Sequence, residues 1–183
     1  KSQEKPLRPS IETSLHALLP HKVVLHAHAI DAIVWLVKAS GHNEVQKRLG
    51  RMNWKWVPYR GVGAPLMMAV REVLASKPDI LLLANHGIVI GGGDVQQVET
   101  LLTELISRLY VPVRFFGRKF LDRERVEMAK NGAQINMHPV KNDDIHLLAK
   151  DPTCFSFLGM KPLYPDQVVY LGPEIPKVKK GES

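Results

Sequence analysis

Two histidines separated by one residue, His26 and His28, stand at the end of a run rich in valine and leucine, His21 to Ala27, bounded by Pro20. A short apolar run of this kind reads as a buried strand. Side chains alternate along a strand, so both imidazoles project to the same face and can share one ion. A third histidine, His86, sits where the apolar run Ile80 to Ala84 meets Gly87. A histidine there reaches outward from the end of a strand. Three neutral imidazoles leave a fourth position open, as catalytic zinc sites require. Glu12, in the helix before the histidine strand, offers a fourth ligand or a proton-transfer base. Each piece also has a plainer reading. A lone His-x-His is often an accident of alternation, His86 alone a turn histidine, and Glu12 alone a first-turn carboxylate favoured by the helix dipole. His16, His21, His42, His138 and His146 read as surface or packed histidines.

The elements that must position these residues follow from pattern and punctuation. Ser10 is a candidate cap for a helix from Ile11 to Leu19, ended by Pro20. A helix over Ala29–Ala39 closes at Ser40-Gly41, and Asn43 is expected to cap a short helix over Glu44–Leu49, stopped by Gly50. Trp54–Val57 reads as a strand. Pro65 opens a helix to about Ala75, since proline suits a first turn. Ile80–Ala84 is the strongest strand signal, and Ile88–Ile90 resumes it. Gly91-Gly92-Gly93 reads as a turn, because it lacks the lysine and spacing of nucleotide-binding loops. Asp94 caps a long helix to about Tyr110, with Val95, Val98, Leu101, Leu102, Leu105, Ile106 and Leu109 forming its apolar stripe. Met67 and Met68 fit helix packing. Beyond Pro112, Phe115–Lys130 and Asp144–Lys150 have helical character, Gln167–Leu171 reads as a strand, and the Lys177–Lys180 tail is expected to be mobile. Strands alternating with helices place the chain in the α/β class, with the last third an extension of the core.

The 183 residues suit a single domain with an appendage, and a hydrophobic content of 45% excludes wholesale disorder. The single cysteine, Cys154, excludes an intramolecular disulfide and zinc sites built on two or four cysteines. No apolar stretch is long enough for a membrane helix. Lys1 opens without an initiator methionine or signal-peptide pattern, so the start is expected to be trimmed and the compartment cytoplasmic. The net charge of +7 is concentrated early: residues 1–60 hold 10 basic and 4 acidic side chains. That excess suits an anionic ligand such as a sugar phosphate, or a plain solvated surface. No RNA-recognition, zinc-finger or helix-turn-helix signature supports nucleic acid as a partner.

Taken together the motifs are more specific than their parts. Arg8-Pro9-Ser10-Ile11-Glu12, then Val24-Leu25-His26-Ala27-His28, then Leu83-Ala84-Asn85-His86-Gly87, resemble the class II aldolase/adducin family over about residues 8–110. Val57-Pro58-Tyr59 and the Gly93-Asp94-Val95 helix start support the resemblance. It implies a layered α/β fold with a mostly antiparallel central sheet covered by helices, residues 1–135 forming the aldolase-like domain and 136–183 an extension packed on it. The resemblance puts His26, His28 and His86 in the place of the metal ligands and Glu12 in that of the acid/base glutamate. Ser10 falls on a serine that helps bind substrate phosphate; Ile11 replaces a second such serine. The family's other phosphate loop should lie upstream of Lys1, and Tyr59 is not spaced to be the tyrosine proton donor some members use. The segment from Pro162 to Pro173 resembles the one C-terminal to the aldolase domain in large bacterial proteins fused to a short-chain dehydrogenase, although no Gly-x-Gly-x-x-Gly comes after a strand here.

The resemblance therefore implies a divalent metal, Zn²⁺ first, and a lyase that cleaves a carbon–carbon bond in a sugar phosphate or related hydroxyketone. In that scheme a carboxylate freed from the metal in a dry pocket has a raised pKa, suited to a base near neutrality. It also implies a homo-oligomer, commonly a tetramer. Two alternatives remain: a 4-epimerase of pentulose phosphates on the same site, and a non-catalytic adducin-like scaffold. A cupin-type His-x-His site requires an almost all-β chain, which the helical stretches at 65–75 and 94–110 contradict.

Overall fold

A computed structural model describes residues 12–112, 152–157, 160, 162 and 164–172. The chain divides into two compact units, Lys1–Val111 with Leu163–Pro165, and Pro112–Pro162 with Asp166–Ser183. In the first unit the elements run α1 (Thr13–Leu18), β1 (Val23–Ala27), α2 (Ile30–Leu36), α3 (Gly41–Leu49), β2 (Trp54–Val57), α4 (Ala64–Val73) with a 3₁₀ turn Leu74–Ser76, β3 (Ile80–Leu83), β4 (Gly87–Gly92) and α5 (Val95–Leu109). Among the described residues the sheet has the order β1-β4-β3-β2. β4 runs antiparallel to both β1 and β3, and β2 parallel to β3, so the sheet is mostly antiparallel as expected.

Alternation along the strands divides the core in two. Ile80, Leu82, Ile88 and Ile90 face a cluster built with Trp35 and Leu36 of α2, Val45 and Leu49 of α3, and Val98, Leu105 and Leu109 of α5. Leu81, Leu83, Val89 and Val57 face the other way, against Leu15 of α1 and Leu66, Ala69 and Val70 of α4. β3 and β4 are buried on both faces, which explains their uninterrupted apolar runs. Trp35 ties the first layer together by donating its indole N–H to the carbonyl of Leu109 at 2.7 Å.

Several expectations are corrected. α3 starts at Gly41, with Ser40 rather than Asn43 at its cap. Gly91 and Gly92 are not a turn but the last residues of β4, paired with Val24 and Val23. Glycine is needed there because the His21 imidazole lies where a β-carbon of residue 91 would project. Val95 is 60% exposed and drops out of the apolar stripe of α5, where Val98, Leu105 and Leu109 are buried and Leu101 and Leu102 pack against them. Farther along the chain, α6 spans Pro152–Phe157, and the strand expected at Gln167–Leu171 is instead a helix, α7 (Pro165–Leu171). Pro165 is preorganised for a first turn and Asp166 favours a helix N-terminus, which outweighs the strand preference of Val168 and Val169. The expected helices at Phe115–Lys130 and Asp144–Lys150 and the Lys177–Lys180 tail lie outside the described residues.

The start of α5 is held as its sequence leads one to expect. Asp94 accepts a hydrogen bond from the backbone N–H of Gln97 at 2.8 Å, while Gln97 Oε1 accepts one from Gly93 N–H at 2.7 Å. Removing the cap by Asp94→Ala is expected to lower the unfolding free energy by about 1 kcal/mol in a urea titration. An unchanged midpoint would contradict the role given to this side chain.

Candidate metal centre

The antiparallel register of β1 and β4 places Leu25 opposite Ile90, His26 opposite Val89 and Ala27 opposite Ile88. Continued by one residue, that register sets His28 beside Gly87, and therefore next to His86. β3 and β4 are joined by a tight hairpin in which Leu83 pairs with Gly87, leaving Ala84-Asn85-His86 as the loop. Asn85 adopts a left-handed conformation at φ 55°, which asparagine tolerates better than most residues. The loop is pinned by backbone hydrogen bonds from Ala84 N–H to Val57, Asn85 N–H to Leu36 and His86 N–H to Leu83. Three elements thus fix the point from which the His86 side chain starts.

The three imidazoles form a nearly equilateral triangle. Ring centroids are 5.0 Å apart for His26–His28 and 5.1 Å for both His26–His86 and His28–His86. Glu12 closes the group from the N-terminal edge of α1, a helix anchored by the fully buried Leu15. Its Oε1 lies 3.1 Å from His26 Nε2 and 3.2 Å from His86 Nε2. One ligand atom from each of Glu12, His26, His28 and His86 lies within 4.8 Å of the other three. All four residues are thus brought together, while Ser10 lies outside the described residues. The His26 and His86 side chains are both buried.

The donor chemistry fits a divalent ion. His26 Nδ1 lies 2.8 Å from the carbonyl of Ile88, an acceptor, so Nδ1 carries the proton and donates it. In a neutral ring this leaves a lone pair on Nε2, the atom that faces Glu12. An imidazole lone pair and a carboxylate oxygen in contact require a proton or a cation between them, and a backbone carbonyl orienting the far nitrogen is what metal-ligating histidines commonly show. The Ile88 carbonyl is a contribution that side-chain identity cannot reveal. Val62, Gly63, Leu66 and Met67, from the loop after β2 and the start of α4, line a small pocket shared with Glu12 and His86. Met67 thus has a place beside the cluster as well as in the core. Tyr59, in the same loop, is exposed.

Electrostatics set the protonation of the two most closely opposed groups. Burial acts to raise the carboxyl pKa of Glu12, but His26, then His86 through its hydrogen bond and charge, and then His28 outweigh it and hold the group below its ordinary 4.5. Three imidazoles surround the group, and together their effect exceeds that of burial. Burial first, then the neighbouring His26, lower His86 below its ordinary 6.5 despite its bond to Glu12. A neutral imidazole and an ionised carboxylate are the forms that bind a metal.

The first 109 residues match the family of the class II aldolase and adducin N-terminal domain. The chain belongs to this family. A curated relative, the uncharacterized oxidoreductase YuxG of Bacillus subtilis (strain 168), is 38% identical over 87 residues, which are 46% of this chain and 12% of that protein. The chain thus spans a small fraction of that relative's length. Among solved structures, the N-terminal class II aldolase domain of a conserved protein from Thermoplasma acidophilum superposes with a TM-score of 0.50 at 30% identity, covering 55% of this chain and 46% of that one. The layered fold expected from the motifs is the one found. No described helix is long and apolar enough to cross a membrane.

Both pKa shifts have consequences for stability with the same sign. His86 takes up a proton more readily when unfolded, so its contribution is complete above pH 6.5 and declines as the pH falls below it. Glu12 contributes fully above pH 4.5 and loses its contribution as the pH falls through its lower folded value. Metal-free protein should therefore lose thermal stability in two stages on acidification. His86→Gln should flatten the upper stage and Glu12→Gln the lower; identical profiles for both variants and wild type would contradict the assignment.

Proposed function

We propose that the chain is a metal-dependent, class II aldolase-type lyase that cleaves a carbon–carbon bond in a sugar phosphate or a related hydroxyketone. The observation that carries this reading is the position of Glu12, whose carboxylate contacts two of three converging imidazoles. His26, His28 and His86 would hold the ion, and three nitrogens with a carboxylate suit Zn²⁺ well. Such an ion, when bound, supplies a Lewis acid that polarises a carbonyl and stabilises the negative charge left as the bond breaks.

The chain's own residues then have distinct tasks. Glu12 is held ionised, so it can accept a proton from the substrate without first losing one. In cleavage it takes the proton of the hydroxyl on the carbon that becomes the aldehyde and delivers it to the carbon freed by the broken bond; condensation runs the same transfer in reverse. Leu66 and Met67 give the pocket beside Glu12 an apolar wall, which limits water near the reacting carbon. Ser10, two residues before Glu12, is proposed to contact the substrate's phosphate or terminal hydroxyl. The exposed Tyr59 and Val62 beside the pocket suit an interface with another copy, and a homo-oligomer, commonly a tetramer in this family, is part of the proposal. The name of the Bacillus relative describes an oxidoreductase far longer than this chain, and the match covers 12% of it.

The test is Glu12→Gln, which keeps the shape but removes the base. Metal content should stay near that of wild type while turnover on a panel of ketose phosphates and unphosphorylated hydroxyketones falls ~10²–10⁴-fold. Full activity in Glu12→Gln would refute the assignment of the base. Interconversion of pentulose phosphates without net cleavage would assign the same residues to a 4-epimerase.

A further inference from the structure

Gly87 lies at the point where the two segments carrying the metal-site histidines diverge. It is the first residue of β4, directly after His86, and Ala27, the last residue of β1, precedes His28. A β-carbon at residue 87 would stand 2.6 Å from the Ala27 carbonyl oxygen and 2.7 Å from Cδ2 of the His28 ring. Both separations are far inside the 3.5–4.0 Å at which carbon contacts are comfortable. The two obstructions belong to adjacent residues, so relief of either moves the same segment in the same direction. The ladder between β1 and β4 ends at Ala27 and Ile88, and nothing beyond that pair holds the segments together by strand pairing.

We propose that Gly87 is a positioning residue of the metal centre. The absence of a side chain there lets the His28 imidazole close to within 5.1 Å of His86, and a single methyl group would wedge the third ligand out of the triangle. This rests on the metal-centre reading given above, although the displacement of the ring does not depend on an ion being bound. Gly87 touches neither metal nor substrate and acts through His28. Strain from a methyl group is expected to stay local, because the other four pairs of the β1–β4 ladder lie farther along the strands from residue 87. Gly93 provides a control in the same region of sequence. A β-carbon there meets Gln97 Oε1 at 3.4 Å, an ordinary contact.

The experiment uses the full 183-residue chain and its Gly87→Ala, His28→Ala, Gly87→Ala/His28→Ala and Gly93→Ala variants. Zn²⁺ is titrated into metal-free protein, and long-range ¹H–¹⁵N spectra of the histidine rings are recorded before metal is added. Gly87→Ala should remain folded, shift the His28 ring resonances (assigned by their loss in His28→Ala) and weaken Zn²⁺ binding ~10–100-fold, the scale at which outer-shell changes act. In the His28→Ala background the same substitution should add little, and Gly93→Ala should leave both readouts unchanged. Wild-type Zn²⁺ affinity with an unmoved His28 ring would overturn the proposal. So would independent, multiplying losses in the double variant, or global unfolding of Gly87→Ala, because the strain is assigned to the ladder end. A wild-type chain that binds no Zn²⁺ would refute the metal reading instead, and the ring spectra would still decide the role of Gly87.

Discussion

The antiparallel register between β1 and β4 is the constraint on which the site depends. Strand pairing fixes not only which residues lie opposite one another but also which face each side chain takes, and a slip of one residue reverses every face. With His26 opposite Val89, His26 in β1 and His28 just beyond its end arrive beside the hairpin that presents His86. β3 and β4 present different side chains to two separately packed cores, so a slip would exchange the residues of those cores. The stability of the sheet and the geometry of the four-residue cluster are therefore one property.

Within the cluster, two opposing effects decide the charge state. Burial favours neutral groups, and by itself would raise the carboxyl pKa of Glu12 and lower the imidazole pKa of His86. For His86 burial prevails. For Glu12 the imidazoles prevail, because the carboxylate is partly exposed at 31% while three rings converge on it. The outcome is an anionic oxygen beside three imidazoles, a set of ligand atoms that suits a cation at its centre. The same balance makes an ionised Glu12 available as a base without a strongly dehydrated carboxylate.

Local patterns in the sequence carry much of this. The period of two at His26 and His28, proline at the start of α4 and the Asp94 cap are short-range signals, and each appears in the structure where its chemistry places it. Features set by distant neighbours were not legible. Gly91 and Gly92 read as a turn because the residue that requires a glycine at position 91, His21, lies on another strand's approach. Val168 and Val169 favour a strand locally, but Pro165 and Asp166 start a helix. The three imidazoles that lower Glu12 come from segments 14 or more residues away, so local surroundings in the sequence do not show them. The Ile88 carbonyl that orients His26 belongs to the backbone and leaves no trace in residue type.

The central claim is that Glu12, His26, His28 and His86 form a metal centre. Metal analysis of the purified full-length chain, combined with X-ray absorption at the edge of the metal found, tests it most directly. The account expects one divalent ion per chain, with three imidazole nitrogens at about 2.0–2.1 Å and oxygen completing the sphere. A protein that holds no ion after equilibration with Zn²⁺, or an ion whose spectrum lacks imidazole scattering, would contradict it.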